Sequence, residues 1–275
     1  MNLPAFEYRR PASVDEAVAI LRDDPDARPL AGGQTLIPTL KQRLARPTQL
    51  VDLRGLAELR GIAVDADGVV VGAMTRHAET AGHPGLRAAI PALSHLASGI
   101  AHPQVRHMGT MGGSIANNDP AADYPAAIVG LGAEVVTTIR SIAADDFFTG
   151  LFSTALEPGE IVLRIRFPKP LRAGYCKIPS QASGYVTTGC FIAEAADGIR
   201  VAVNGAAACV FRQPDFEAAL GRDFSVHALE GLVQAPDGLN NDMHASAAYR
   251  AHLVGVAARR ALEQALHFAR MENPQ

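Results

Sequence analysis

Ala31-Gly32-Gly33-Gln34-Thr35-Leu36-Ile37-Pro38 decides how this chain is read, together with a later stretch of the same chemistry, His107-Met108-Gly109-Thr110-Met111-Gly112-Gly113-Ser114-Ile115-Ala116-Asn117-Asn118-Asp119-Pro120. The first lies between a short strand at Arg28 to Ala31 and a short helix at Leu36 to Leu44, with Pro38 tolerated in the first turn. Paired glycines lack Cβ atoms and permit positive φ, so consecutive N–H groups can gather around an anion such as phosphate. The second stretch adds the hydroxyls of Thr110 and Ser114. Two such loops can bracket a pyrophosphate, whose charges are costly to desolvate without many donors. Each pair alone is an ordinary turn signal, and composition does not say which nucleotide the two together would hold. Neither stretch is a G-x-x-x-x-G-K-[ST] loop or a G-x-G-x-x-G opening a helix, and Gly130-Leu131-Gly132 lies in the wrong context for the latter.

Working outward, Ser13-Val14-Asp15-Glu16 is a capping box, and Val14, Ala17, Val18 and Leu21 recur at helical spacing over 14–22. Strands are expected at Leu50 to Leu53, at Val69 to Val71 and at Val135 to Ile139. Leu86 to Ile100 has a helical pattern, 101–123 reads as loop, and Tyr124 to Leu131 as helix with Asp123 as its N-cap. Ile161, Leu163, Ile165 and Phe167 alternate with Val162, Arg164 and Arg166 in a period-two strand. Pro168-Lys169-Pro170 is the best boundary. Beyond it come strand-like runs at 186–194 and 199–210, then a helix over about 246–270, capped by Ser246, with Tyr249, Leu253, Val256, Leu262 and Leu266 inward. Strands and helices mix without regular βαβ alternation, which indicates an α+β fold.

A chain of 275 residues, 48 % apolar and 19 % charged, builds a sizeable core as one large domain or two modest ones. A net charge of -3 gives no reason to expect nucleic acid as a partner. No apolar run approaches the ~20 residues of a membrane span, and Met1 to Phe6 lacks the basic start of a secretory signal, so the cytoplasm is the expected compartment. Cys176, Cys190 and Cys209 are widely spaced, which points to reduced, mostly buried thiols and to no local metal site. His102 and His107 are expected as loop or surface histidines, and Asp145-Asp146 as a solvated turn or a helix cap.

The wording of the two stretches goes further. Ala31 to Lys41 and Pro103 to Ser114 resemble the two FAD signatures of the carbon-monoxide-dehydrogenase medium-subunit family, the flavoprotein subunits of xanthine-dehydrogenase-type molybdenum hydroxylases. Asn118 to Ala126, the opening Phe6 to Pro11 and the closing Ala247 to Arg250 are similar too, so the resemblance covers nearly the whole chain. It implies a PCMH-type FAD-binding module over 1–170, with subdomains of about 1–56 and 57–170, followed by a smaller sheet-plus-helix domain over 171–275. It implies that Leu30, Ala31, Gly32, Gly33, Gln34, Thr35, Leu36 and Ile37 line the pyrophosphate and ribityl region of the cofactor. Thr110, Gly112, Gly113 and Ser114 would supply the opposing amides and hydroxyls. Asp123 would accept a hydrogen bond from FAD, and Ile100, Val162, Lys177 and Tyr185 would stand near the flavin. Set against this, Asp123 can cap its helix, Lys177 can be a solvated lysine, and Tyr185 can pack in a core.

The resemblance further implies a large subunit with the molybdopterin cofactor and a small subunit with [2Fe–2S] clusters, as a dimer of heterotrimers, in which this chain takes electrons from the clusters and passes them to an outside acceptor. No catalytic acid, base or nucleophile and no metal ligand is expected in this chain. Gln34 stands where unrelated flavin oxidases carry a covalently bonded histidine, and an amide cannot make that bond, so the flavin is expected to dissociate. Ser180, Gln181 and Gly184 depart from the charged residues usual in the family, which leaves the acceptor open. No cysteine-bearing insertion for an extra cluster occurs near 76–122. The alternative is a self-sufficient FAD-dependent oxidase of a related fold.

Overall fold

Strands Glu7–Arg9, Arg28–Leu30 and Gln49–Asp52 form a parallel sheet with Gln49–Asp52 in the middle. Helices Val14–Asp23 and Leu36–Lys41 make its crossovers. The N-terminal part therefore contains the βαβ alternation that the sequence appeared to lack. Its outer strands are three residues long and one holds Pro29, too short to display a period. The Ser13 hydroxyl accepts from the Glu16 amide as the capping box requires. The second helix stops at Lys41, short of the expected Leu44, and Arg43 turns the chain with φ 62°. The computed structural model describes residues 3–272, so Met1 and Asn2 of the opening stretch lie outside it.

A second sheet is antiparallel, in the order Ile62–Val64, Gly68–Gly72, Val162–Pro168, Glu134–Thr137, Ser141–Ala143. The alternation read at 161–167 is real: Ile165 and Phe167 are buried and Arg164 and Arg166 exposed. The helices between Gly72 and Glu134 cover one face, and Leu93, Leu96, Ile115, Tyr124 and Ile128 fuse with Val69, Val71 and Ile165 into the largest core. The helix expected over 86–100 is two helices, Pro84–Ala89 and Pro91–Ser98. Pro91 excludes the α conformation at Ile90, which sits at φ -142°, ψ 75°. The stretch 101–123, read as loop, holds two short helices, Pro103–Arg106 and Met111–Asn117. Their glycine and asparagine content hid them.

The C-terminal part is an antiparallel sheet, Arg172–Pro179, Val186–Ala195, Gly198–Asn204, Phe211–Arg212, in sequence order. Its first strand was not anticipated, and the run 199–210 leaves the strand after Asn204. Helix Ala247–Glu272 covers one face, burying Val254, Ala258, Ala261 and Leu262 against Cys190, Ile192, Val201 and Val203. Ser246 caps it through the Tyr249 amide, but Tyr249 itself is 51 % exposed rather than inward. Tyr175, Phe191 and Ala202, on the other face, join the large core, so this sheet packs directly on the helices beside the second sheet. Asp145 is no plain solvated turn, because it accepts from Arg200 and Arg212 and stitches the two parts together. Of the cysteines only Cys190 is fully buried, and all three are free. Among the described residues no helix is long and apolar enough to cross a membrane, and no group of His, Cys, Asp and Glu could hold a metal ion.

Candidate functional site

The first glycine turn, the helix Met111–Asn117, the strand Val162–Pro168 and the tip of the hairpin between Pro179 and Val186 converge on a cleft of about 840 Å³. That volume is in the range of a drug-sized or cofactor site. At its centre the two glycine stretches touch. A Cβ on Gly32 would lie 2.2 Å from the Met108 carbonyl oxygen and 2.6 Å from Gly109 Cα, so only glycine lets the two backbones meet. Gly33 takes φ +71°, a left-handed turn of the kind that gathers successive amides on one concave face. The amides of Gly32, Gly33, Gln34 and Thr35 have no acceptor among the described residues. Four bare donors in a row, on the wall of a cleft, suit an anion.

The second stretch behaves differently from expectation. The Met111 amide donates to Thr75 O, the Gly112 amide to Ala73 O and the Ser114 amide to Thr110 O. The Gly113 amide points at the Thr110 hydroxyl, which caps the helix. These amides are consumed by the fold, so the second stretch does not oppose the first with a matching set of donors. It offers the Thr110 and Ser114 hydroxyls and the smallness of Gly112, where a Cβ would lie 2.5 Å from Ala73 Cβ. The physical reason is that 110–112 runs beside 73–76 as a small ladder, with Arg76 bridged to Thr110.

Of the residues singled out from sequence, Ala31, Gly32, Gly33, Gln34, Thr35, Leu36, Ile100, Thr110, Gly112, Gly113, Ser114, Asp123, Val162 and Tyr185 line the cleft. Leu30, Ile37 and Lys177 do not. Leu30 is buried with Leu40 and Leu50, and Ile37 packs on that cluster. Lys177 is not a solvated lysine: its ammonium donates to Gly99 O at 2.8 Å and meets Asp123 Oδ1 at 2.9 Å, with the side chain 15 % exposed. Asp123 stands at the N-cap position of the helix at Tyr124, as expected, but its side chain makes no capping bond. Its buried carboxylate accepts instead from the Tyr175 hydroxyl at 2.9 Å. Burial pushes the Asp123 pKa upward, while Lys177 and Tyr175 pull it back. Tyr185 is not in a core; it is half-exposed at the mouth beside Ser183 and Gly184.

Several lining residues went unread in the sequence. His77 is buried, stacks obliquely on Tyr124 with ring centroids 5.3 Å apart, and leaves Nδ1 without a partner. Burial, with the Arg106 charge, lowers its pKa to about 4, so the ring is neutral. Glu160 accepts from Thr137 Oγ1 at 2.6 Å and the Glu157 amide at 2.7 Å, and pairs with Arg140. Burial works against ionisation there, but those donors outweigh it and hold the carboxyl below its usual value. His102, expected as a surface residue, is exposed and also lines the cleft. No local motif marks His77 or Glu160; each is brought in by the packing of separate elements.

Arg28 is the one Lys or Arg among the lining residues, against the carboxylates of Asp119, Asp123 and Glu160. A multiply charged phosphate group there must be met mainly by main-chain amides, and four are free. The residues present therefore fit a dinucleotide held by its diphosphate, which places the chain among cofactor-binding proteins rather than P-loop or Rossmann enzymes. Residues 4–170 match the family described as FAD binding domain in molybdopterin dehydrogenase, and the chain belongs to that family. It is an FAD-binding chain of the oxidoreductase class that includes medium subunits of molybdenum hydroxylases. It is 36 % identical to the carbon monoxide dehydrogenase medium chain of Afipia carboxidovorans, over 95 % of this chain and 96 % of that one. It is 34 % identical to the nicotine 6-hydroxylase medium subunit of Paenarthrobacter nicotinovorans, over 96 % of this chain and 99 % of that one. The structure of reconstituted CO dehydrogenase from Oligotropha carboxidovorans superposes with a TM-score of 0.90 at 36 % identity, over 96 % of this chain and 99 % of that chain.

Proposed function

We propose that this chain holds FAD non-covalently in the cleft and relays electrons from the [2Fe–2S] clusters of a small partner subunit to an external acceptor, the electrons coming from a large molybdenum-cofactor subunit. The observation that carries this reading is the run of unpaired amides from Gly32 to Thr35 on the wall of a cleft in a chain of this family. When bound, the isoalloxazine supplies chemistry that exchanges one or two electrons.

The protein's work is positioning. The amides of Gly32 to Thr35 would hold the diphosphate, with the Thr110 and Ser114 hydroxyls as further donors lining the cleft. Gly32 lets the two glycine stretches meet, and Gly112 lets the second pack on Ala73. Asp123 offers a fixed, buried acceptor, and Ile100 and Val162 would be apolar neighbours of the ring. Tyr185 covers the mouth. Lys177 acts on the cofactor through Asp123. Among the described residues we assign none as nucleophile or as general acid or base. We assign residues 1–170 as the FAD-binding module, divided near 56, and 171–275 as the C-terminal domain. We assign a dimer of heterotrimers in the cytoplasm as the working assembly.

The test is purification of the complex from its native host. Two partner chains, iron, molybdenum and a flavin that bleaches when substrate is added anaerobically are the expected results. Turnover of substrate by this chain alone, without partners, contradicts the relay and favours a self-sufficient flavin oxidase.

A further inference from the structure

We propose that Tyr175 is a positioning residue for the flavin site, acting through Asp123 although it stands on the C-terminal sheet outside the cleft; this rests on the reading of the cleft as an FAD site. Every part of Tyr175 is fixed. Its amide donates to Gln264 Oε1 of the last helix at 2.8 Å. Its ring lies 6.1 Å from that of Phe191. Its hydroxyl donates to Asp123 Oδ1 at 2.9 Å and accepts from Asn204 Nδ2 at 3.4 Å. Asn204 Nδ2 in turn holds Ala122 O at 2.6 Å, so the same strand-borne pair grips both the backbone before Asp123 and its carboxylate.

The room for this relay is built into the sheet. Gly189, opposite Asn204 on the neighbouring strand, would with a Cβ meet Asn204 Oδ1 at 2.4 Å and Tyr175 Oη at 3.0 Å. The backbone around it is drawn in as well: the Val186 amide donates to Ala121 O and the Gly205 amide to Pro120 O. The segment 119–123, three residues of which line the cleft, is thus moored to the C-terminal sheet. Burial keeps the Tyr175 hydroxyl protonated, so it remains a donor. A carboxylate has about four acceptor sites. Tyr175 engages Oδ1 and Lys177 both oxygens, which fixes the carboxylate and leaves acceptor sites over for the cofactor.

The experiment is a double-mutant cycle on FAD affinity of the full chain, with Tyr175→Phe, Asp123→Asn and the pair, read together with the visible circular dichroism of bound flavin. Tyr175→Phe is expected to weaken FAD roughly tenfold to a hundredfold, the loss of one hydrogen bond to a charged group, and to move the flavin band. On the Asp123→Asn background the same change is expected to cost less than about twofold, because the charged carboxylate it orients has become a neutral amide. Equal losses on both backgrounds, or an unmoved band with unchanged affinity, overturn the proposal. If Tyr175→Phe folds poorly, site-specific 3-fluorotyrosine at 175 keeps the ring and hydroxyl while changing its acidity, and a flavin band it leaves unmoved likewise overturns it. Wild-type protein that binds no FAD refutes the cofactor reading itself, whereas wild-type binding with an uncoupled cycle refutes only the relay.

Discussion

Replacing Gly32 with alanine tests the contact on which the cleft is built. The new Cβ would lie 2.2 Å from Met108 O and 2.6 Å from Gly109 Cα, both main-chain atoms that no rotamer change can move aside. A C···O contact settles at about 3.3 Å, so the two walls must part by about 1 Å. Overpacking of that kind costs about 1–3 kcal/mol, seen in the apo chain as a fall in Tm of about 2–4 °C for each kcal/mol. The same opening displaces the amides of Gly32 to Thr35 from their shared focus, and a comparable loss in binding weakens FAD by about fivefold to a hundredfold or more. The assay is a fluorescence titration of apo protein with FAD beside a thermal melt. Gly221→Ala is the control, since nothing lies within 4 Å of that Cβ, and it should leave both values near wild type. A Gly32→Ala chain that melts lower yet binds FAD like wild type would show that the approach of the two stretches is structural only, and the reasoning would fail.

Two further outcomes follow from buried charge and protonation. Lys177→Met leaves the Asp123 carboxylate buried without its counterion and should cost about 3–5 kcal/mol in urea unfolding, while Lys177→Met with Asp123→Asn should recover most of that loss. Below pH 6.5 the unfolded chain takes up a proton that the buried His77 ring refuses until about pH 4. Stability conferred by the neutral ring is therefore complete above pH 6.5 and is lost as pH falls through that window, by about 2 kcal/mol between pH 7.5 and 5. The difference in unfolding free energy between those two pH values should shrink by that amount in His77→Gln; an equal difference in both chains would refute it.

How much of this was legible in the sequence depends on where the information sits. The glycine turn at 31–36 could be read because its chemistry is local: adjacent residues supply both the conformation and the donors. The strand at 161–167 and the capped helices at 14 and 247 were equally open, since a period or a cap is carried by neighbours in sequence. The short parallel strands were not, because three residues cannot show a period, and Pro91 was overlooked as a break in an otherwise helical run. The role of the second glycine stretch was misread for a deeper reason. Whether an amide is free depends on what lies opposite, and the ladder to Ala73 and Thr75 exists only in the fold. Asp123 shows the same limit: a residue placed to cap a helix turns its carboxylate to Tyr175 and Lys177, donors far away in sequence.

The most direct measurement compares FAD, FMN and riboflavin by calorimetry on the flavin-free full chain. If bare amides at Gly32 to Thr35 hold a diphosphate, FAD should bind one to one, dissociate intact on acid precipitation, and exceed riboflavin in affinity by about a hundredfold or more, the worth of two or more charge-assisted hydrogen bonds. Riboflavin binding as tightly as FAD would mean the ring alone is recognised, and would contradict the account at its foundation.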